Sequence, residues 1–175
     1  MVTLDRVADL SDGDRVAVRD LTLSVYPPER FADWAGRSLE WSAPEWCVRV
    51  RDAGTLVSYV GVYLRSAEWD GMAVLVGGVG NVKTHPAARG QGLAGLGVRR
   101  AVEFFAEVAA DFGLLVCEPN LVEYYGRLGW RPFGGRLLVR QRGEVAEFSL
   151  NLAMTRGVQL EGPTNGAIDL CGPPW

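Results

Sequence analysis

Val82-Lys83-Thr84-His85-Pro86-Ala87-Ala88-Arg89-Gly90-Gln91-Gly92-Leu93-Ala94 runs from the end of a strand-like stretch, through a glycine loop, into a helix-like stretch. Before it, Met72 to Thr84 is rich in Val and follows Asp70-Gly71, a strong hairpin signal. After it, Ala94, Val98, Ala101, Val102, Phe105, Val108 and Ala109 fall at helical spacing on one stripe, with Arg99, Arg100, Glu103 and Glu107 off it. A helix that opens on such a loop aims unpaired N–H groups, and the positive end of its dipole, at whatever lies in front. That suits a pyrophosphate. Glycines let phosphate oxygens approach the main chain. A tight strand-to-helix turn without a ligand would use the same glycines, so the loop alone does not decide.

Two familiar loops compete for these residues. Gly90-x-Gly92-x-x-Gly95 spells the dinucleotide fingerprint, and Glu118 stands where a ribose-binding acid would be expected. A dinucleotide fold, however, opens with the fingerprint strand in parallel α/β alternation. Here about half the chain precedes the loop in hairpin-like strands, and His85 to Ala88 separates the strand from Arg89. A phosphate-binding P-loop fails because no Gly-Lys-Ser/Thr closes the run.

Working outward, Trp46 to Arg51 alternates as a strand, Asp52-Ala53-Gly54 is its turn, and Leu56 to Trp69 is a long β-like run. Antiparallel pairing should therefore dominate the first half. Gly77, Gly78 and Gly80 inside the following strand point to a bulge or to a close approach of something to the main chain. Near the start, Arg15 to Ser24 reads as a helix, and Tyr26-Pro27-Pro28 ends it. An aromatic and acidic stretch follows, with Asp33, Trp34, Glu40, Trp41 and Trp46. Beyond the loop helix come a short strand, Phe112 to Cys117, and a short helix, Leu121 to Leu128, closed by Gly129. Strands over Arg136 to Arg140 and Glu144 to Ala153 follow, then a tail from Thr155 to Trp175 with little periodicity.

The 175 residues fit one domain, 1–175, with 155–175 as a tail packed upon it. A globular fold of this length buries roughly 70% of the surface of its unfolded chain. With 48% hydrophobic and 22% charged residues the composition is that of a soluble protein, and no apolar run approaches the roughly 18 residues of a membrane span. Met1 to Asp14 lacks the basic and apolar regions of a signal peptide, so we expect a cytoplasmic protein with no membrane partner. A net charge of -3 argues against a nucleic-acid partner. Cys47, Cys117 and Cys171 are scattered and His85 is the single histidine, which excludes a disulfide framework and disfavours a metal site. Of 18 basic residues only Lys83 is lysine. The oligomeric state is left open, a homodimer included.

Arg89-Gly90-Gln91-Gly92-Leu93-Ala94 matches the acyl-CoA-binding motif of the GNAT superfamily: Gln or Arg, any two residues, Gly, any residue, then Gly or Ala. The chain resembles that superfamily also in the Val82-x-Thr84 strand end before the loop and the long helix after it. Glu118-Pro119-Asn120 and Tyr125-Gly126-Arg127-Leu128-Gly129-Trp130 resemble its second landmark, a strand end with Asn followed by a Tyr and a Gly-aromatic pair. The likeness is clear for about residues 55 to 135. Within the superfamily, Thr55 to Leu93 and the end Ile168-Asp169-Leu170-Cys171-Gly172-Pro173-Pro174-Trp175 are similar to aminoglycoside 2′-N-acetyltransferases. The tail is also similar to that of nodulation acyltransferases.

The resemblance implies an α/β fold with a mixed, mainly antiparallel central sheet flanked by helices and splayed at the cofactor site. It implies acetyl-CoA as cofactor, a small-molecule amine as acceptor, and direct transfer in a ternary complex. Carried over by motif, the main-chain N–H of Val82 stabilises the oxyanion, and Thr84 pairs with the pantetheine arm. Arg89, Gly90, Gln91, Gly92, Leu93 and Ala94 cradle the pyrophosphate, Asn120 joins the cofactor site, and Tyr125 protonates the leaving thiolate. On its own, Tyr125 also reads as an ordinary amphipathic tyrosine, and Tyr124 fits that reading better.

The base is the gap. Many GNAT enzymes carry a carboxylate on the strand before the loop, whereas Gly77-Gly78-Val79-Gly80-Asn81 has no basic side chain. Asn81 can hold a water. Glu118 is the substitute preferred here, with Glu68, Asp70 and the α-carboxylate of Trp175 as others, and His85 reads as a turn residue. The acceptor wall is expected from Asp33, Asn81, Asp169 and Trp175, although Trp34, Trp41 and Trp46 read equally as core and Asp33 and Glu40 as solvated. A longer acyl chain, or a regulatory acyl-CoA-binding module without catalysis, are the competing functions.

Overall fold

The structure, a computed structural model, describes residues 1–31 and 34–175. Three X-Gly pairs make its tight hairpins. Ala53 and Gly54, with φ of 43° and 84°, join β2 (Trp46–Asp52) to β3 (Thr55–Trp69). Asp70 and Gly71, at 47° and 80°, join β3 to β4 (Met72–Thr84). Positive φ at both central residues gives the type I′ turn, whose twist matches that of paired strands. Arg142 and Gly143, at 53° and 84°, do the same for β7 (Arg136–Gln141) and β8 (Glu144–Glu147).

The remaining strands are β1 (Val2–Arg6), β5 (Phe112–Cys117), β6 (Arg131–Pro132), β9 (Leu152–Gly157) and β10 (Ala167–Asp169). One sheet runs in the order β6-β9-β5-β4-β3-β10-β7-β8, with β2 also on β3 and β1 on β2. Only β4–β5 and β10–β7 are parallel. This is the mixed, mainly antiparallel sheet expected. With 15 residues, β3 is long enough to hold β2 along its first half and β10 at its end.

Among the described residues, three α-helices flank the sheet. Helix α1 (Asp12–Val25) is capped by Ser11, whose hydroxyl accepts from Asp14 N, and it stops before Pro27. Helix α2 (Leu93–Glu107) begins later than the end of the Pro86–Ala88 turn because Gly90 and Gly92 sit at φ 78° and 74°, outside helical space. Helix α3 (Val122–Arg127) is short. Helix α2 lays Val98, Ala101, Phe104 and Phe105 on one face of the sheet, against Val48, Val60 and Val79. The opposite face meets α1 through Leu21 and Val25, over Cys47, Leu56 and Tyr59.

Further along that second face, Tyr63, Phe112, Leu114, Leu170 and Trp175 form another core. Neighbouring strand residues point to opposite faces. Accordingly a Cβ at Gly77 would strike Phe105 of α2, and one at Gly78 would strike the Trp175 indole. The close approach that the glycine run foretold is therefore made by two of the chain's own aromatic rings.

The second half departs from the sequence reading. The stretch from Glu144 to Ala153 is two elements, not one: β8 pairs with β7, whereas β9 pairs with β5 and β6. Thr155 to Gly157 belongs to β9, and the tail supplies β10. Its Ile168 is fully buried. Strand β1 was not expected. It pairs with β2 from Val2↔Val50 to Arg6↔Trp46.

Candidate active site

Strands β4 and β5 pair from Val76↔Phe112 to Val79↔Leu115 and then part, while β4 runs on to Thr84 and β5 to Cys117. On its other side β4 carries a bulge. Gly61 faces Gly80 but Tyr59 faces Lys83, and between them Asn81 takes φ 52°. Past the bulge His85 N donates to Val57 O at 2.9 Å, and Lys83 is in register with Tyr59. Strand residues alternate in the side to which they hydrogen-bond, so the N–H and C=O groups of Val82 and Thr84 point away from β3, into the opening. Among the described residues, two side chains meet this edge. The Tyr26 hydroxyl donates to Val82 O at 3.4 Å, and Arg89 Nε donates to Thr84 O at 3.4 Å.

The opening leads to the glycine loop. His85 Nδ1 accepts from Ala87 N at 3.3 Å, which makes His85 a turn residue, as expected. No heavy atom of the described residues lies within 4 Å of where a Cβ at Gly90 or Gly92 would stand, so both glycines face open space. Gly92 is the N-cap of α2 and offers no side-chain cap, which leaves the first-turn N–H groups directed outward. Gln91 is exposed, and Leu93 and Ala94 are half-buried at the helix start. One turn on, the Tyr124 hydroxyl lies near Gly95 and is buried without a hydrogen-bond partner among the described residues. An extended arm ending in a pyrophosphate fits this combination of free strand edge, open glycine loop and uncapped helix.

Tyr125, on α3, is buried at 6% exposure in the core beneath α2. Burial raises its pKa, with Tyr124, Cys117 and Tyr26 adding to the rise, so its phenol keeps its proton at neutral pH. Glu118 follows β5 and is exposed, and Asn120 is exposed in the Pro119–Leu121 turn that leads to α3. The Cys117 thiol is pushed up to about 11 by burial and by Glu118. It is therefore not a thiolate at neutral pH. Lys83 turns the other way, under α1. Its Nζ donates to Thr22 Oγ1 at 2.8 Å and lies 5.0 Å from the centre of the Tyr59 ring, and burial lowers its pKa to about 8.

Of the expected acceptor residues, Asn81 is at the bulge and exposed, while Asp33 lies outside the described residues. Trp175 is close. Its ring stacks on Tyr63 at 5.3 Å, and its main-chain carbon is 3.1 Å from where a Cβ of Gly80 would be. The indole itself is buried at 5% exposure, so it is floor and core rather than an exposed wall.

Asp169 is a correction. Its carboxylate is taken by Arg140, through two bonds of 3.0 Å, and by Cys171 N. From Gly61, opposite Gly80, to Glu68, opposite Asp169, β3 advances about 24 Å at about 3.4 Å per residue. Asp169 cannot touch an acceptor at the opening. The same distance removes Glu68 and Asp70 as bases.

Among the tryptophans, Trp46 packs on Phe104 and is core, whereas Trp34 stacks on Trp41 and Trp41 meets the edge of Phe148. The last two rings lie with Leu39 beside the Trp175 core. Glu40 accepts from Arg142 N. The sequence reading also missed Tyr26 and Arg65. Arg65 donates to Pro173 O and to Ser42 Oγ, both at 2.7 Å, and so ties tail, loop and β3 together. Nothing near either residue in the chain signals these reaches of 56 and 108 positions.

A model of the GNAT acetyltransferase domain matches residues 7–133. No curated protein sequence matches the chain. Among solved structures, the chain is similar to a GNAT family N-acetyltransferase, YhbS, from Escherichia coli in complex with CoA. The TM-score is 0.65 at 15% identity, over 98% of this chain and 89% of that one. It is also similar to an acyl-CoA N-acyltransferase from Pseudomonas aeruginosa, with a TM-score of 0.60 at 20% identity, over 90% and 99%. Among the described residues no helix is long and apolar enough to cross a membrane, and no group of His, Cys, Asp and Glu could hold a metal. With its free β4 edge, glycine loop and matched domain, the chain belongs to the GNAT acetyltransferase family and is an acyl-CoA-dependent N-acyltransferase.

Proposed function

We propose that the protein transfers an acetyl group from acetyl-CoA directly to the primary amine of a small-molecule acceptor, with both bound at once. The observation that carries this reading is the edge of Val82 and Thr84, which β5 leaves unpaired and from which the glycine loop leads to the uncapped start of α2. Acetyl-CoA, when bound, supplies the activated thioester carbonyl. Val82 N–H polarises its oxygen, and Thr84 pairs with the extended arm. Arg89 to Ala94 hold the pyrophosphate, with Asn120 at the neighbouring turn. Tyr125 gives its proton to the leaving sulfur: the phenol O–H breaks and an S–H forms. Glu118 receives the proton of the amine, directly or through a water held by Asn81.

Direct transfer is favoured over an acyl-cysteine route because Cys117, the thiol nearest these groups in sequence, is held protonated. The aminoglycoside-like acceptor is the narrower version of the proposal, supported by the likeness of Thr55 to Leu93. With Asp169 engaged by Arg140, that version has lost one of its acidic groups.

Calorimetry with acetyl-CoA, followed by free-thiol release across a panel of amines, tests the reading. Amine-dependent thiol release is the expected result. Binding without turnover would point to a regulatory module, and faster turnover of longer acyl-CoAs would point to a longer-chain acyltransferase.

A further inference from the structure

Tyr26 stands where α1 ends. Its N–H donates to Thr22 O at 2.8 Å, and Pro27 and Pro28 stop the helix beyond it. From this anchored position the side chain reaches Val82 O, yet it remains 37% exposed. A substrate arriving at the opening from the α1 face therefore meets this phenol. The opposite lip of the opening is the end of β5, where Glu118 is exposed.

We propose that Tyr26 is an acceptor-binding residue: its phenol oxygen and the Glu118 carboxylate together hold the amine over Val82, at the mouth of the β4–β5 opening. The assignment rests on the acyl-transfer reading above and names the groups that receive its second substrate. Two charged side chains lie within electrostatic reach of this phenol. Burial raises the Tyr26 pKa, Glu118 raises it further and Arg89 opposes the rise, while Tyr26 in turn acts on Tyr125.

The chemistry of an ammonium explains why both groups are needed. It seeks a negative charge and additional hydrogen-bond acceptors, and β4 carries no carboxylate from Gly77 to Asn81. Glu118 supplies the charge and Tyr26 an acceptor oxygen. The phenol oxygen can accept from the ammonium while its O–H donates to Val82 O at 3.4 Å. Readying the amine then breaks one N–H bond of the ammonium and forms one O–H bond on Glu118, and the nitrogen keeps the electron pair.

Steady-state kinetics with acetyl-CoA and a panel of spermidine, benzylamine and alanine amide test the assignment. For the amine that turns over best, Tyr26→Phe should raise the amine KM about tenfold, the equivalent of about 1.4 kcal/mol. The acetyl-CoA KM should stay within about twofold, less than the loss of one hydrogen bond. Glu118→Gln should lower kcat as well as raise the amine KM, whereas Tyr26→Phe should raise the amine KM with kcat nearly kept. An unchanged amine KM in Tyr26→Phe, or an equal rise in the acetyl-CoA KM, overturns the assignment. CoA binding by calorimetry without turnover of any panel amine also counts against it, and leaves the CoA site standing. Failure of the parent protein to bind CoA sinks the acyl-transfer reading itself.

Discussion

The indole of Trp175 occupies the space in which a side chain at Gly78 would stand: a Cβ added there would lie 2.5 Å from Trp175 Cε2. Gly78→Ala must push the ring off Tyr63, and should cost about 1 to 3 kcal/mol, as overpacking does. Trp175→Ala should cost more, about 3 to 5 kcal/mol, because it empties a buried site. Urea unfolding measures both. A Trp175→Ala protein as stable as the parent would show that the tail does not complete the core.

Gly92→Asp tests the loop. The space around this glycine is open, and its φ of 74° is strained for any other residue by roughly 1 kcal/mol. Folding should therefore survive. CoA affinity should fall at least about tenfold, or 1.4 kcal/mol, because a carboxylate would face the phosphates. Calorimetry on the two proteins decides, and equal affinities would remove the pyrophosphate from this loop.

Tyr125→Phe should leave CoA binding nearly intact and lower kcat by about 10² to 10⁴, the usual worth of a general acid. Burial keeps the phenol protonated, so this contribution should not fade as the pH rises from 7 to 9. Turnover within about twofold of the parent would assign the proton to water or to another group.

Lys83 makes stability depend on pH. Its pKa is lowered from 10.5 to about 8 in the fold. Above pH 8 the native chain has released the Lys83 proton that the unfolded chain still holds, so the Lys83 contribution to stability should rise with pH, by on the order of 3 kcal/mol at most. Below pH 8 both forms carry the proton and the contribution is flat. The thiols of Cys47 and Cys117, both pushed up to about 11, oppose this gain from about pH 9, and Tyr59 and Tyr63, whose pKa values are also raised, oppose it further near pH 10, because all four ionise first in the unfolded chain. Relative to the parent, Lys83→Met should lower the slope of stability against pH between pH 8 and 10. Urea midpoints at pH 7, 8, 9 and 9.8 provide the comparison, and equal slopes in the two proteins would contradict the assignment.

The sequence by itself determined the hairpins at Gly54 and Gly71, the α2 stripe and the loop from Arg89 to Ala94. These depend on residues within one or two turns of each other: positive φ favours glycine, and a buried helix face imposes its period wherever it occurs. Only the tertiary structure decided where distant segments meet. Strand β10 has three residues and no pattern of its own, yet it is held between β3 and β7. Asp169 looks like an acceptor carboxylate until Arg140 is placed beside it. Tyr26 looks like the last residue of a helix until α1 lies over Val82. Such contacts close long stretches of chain, and their stability is a sum over the whole packed core, so no short window of sequence encodes them.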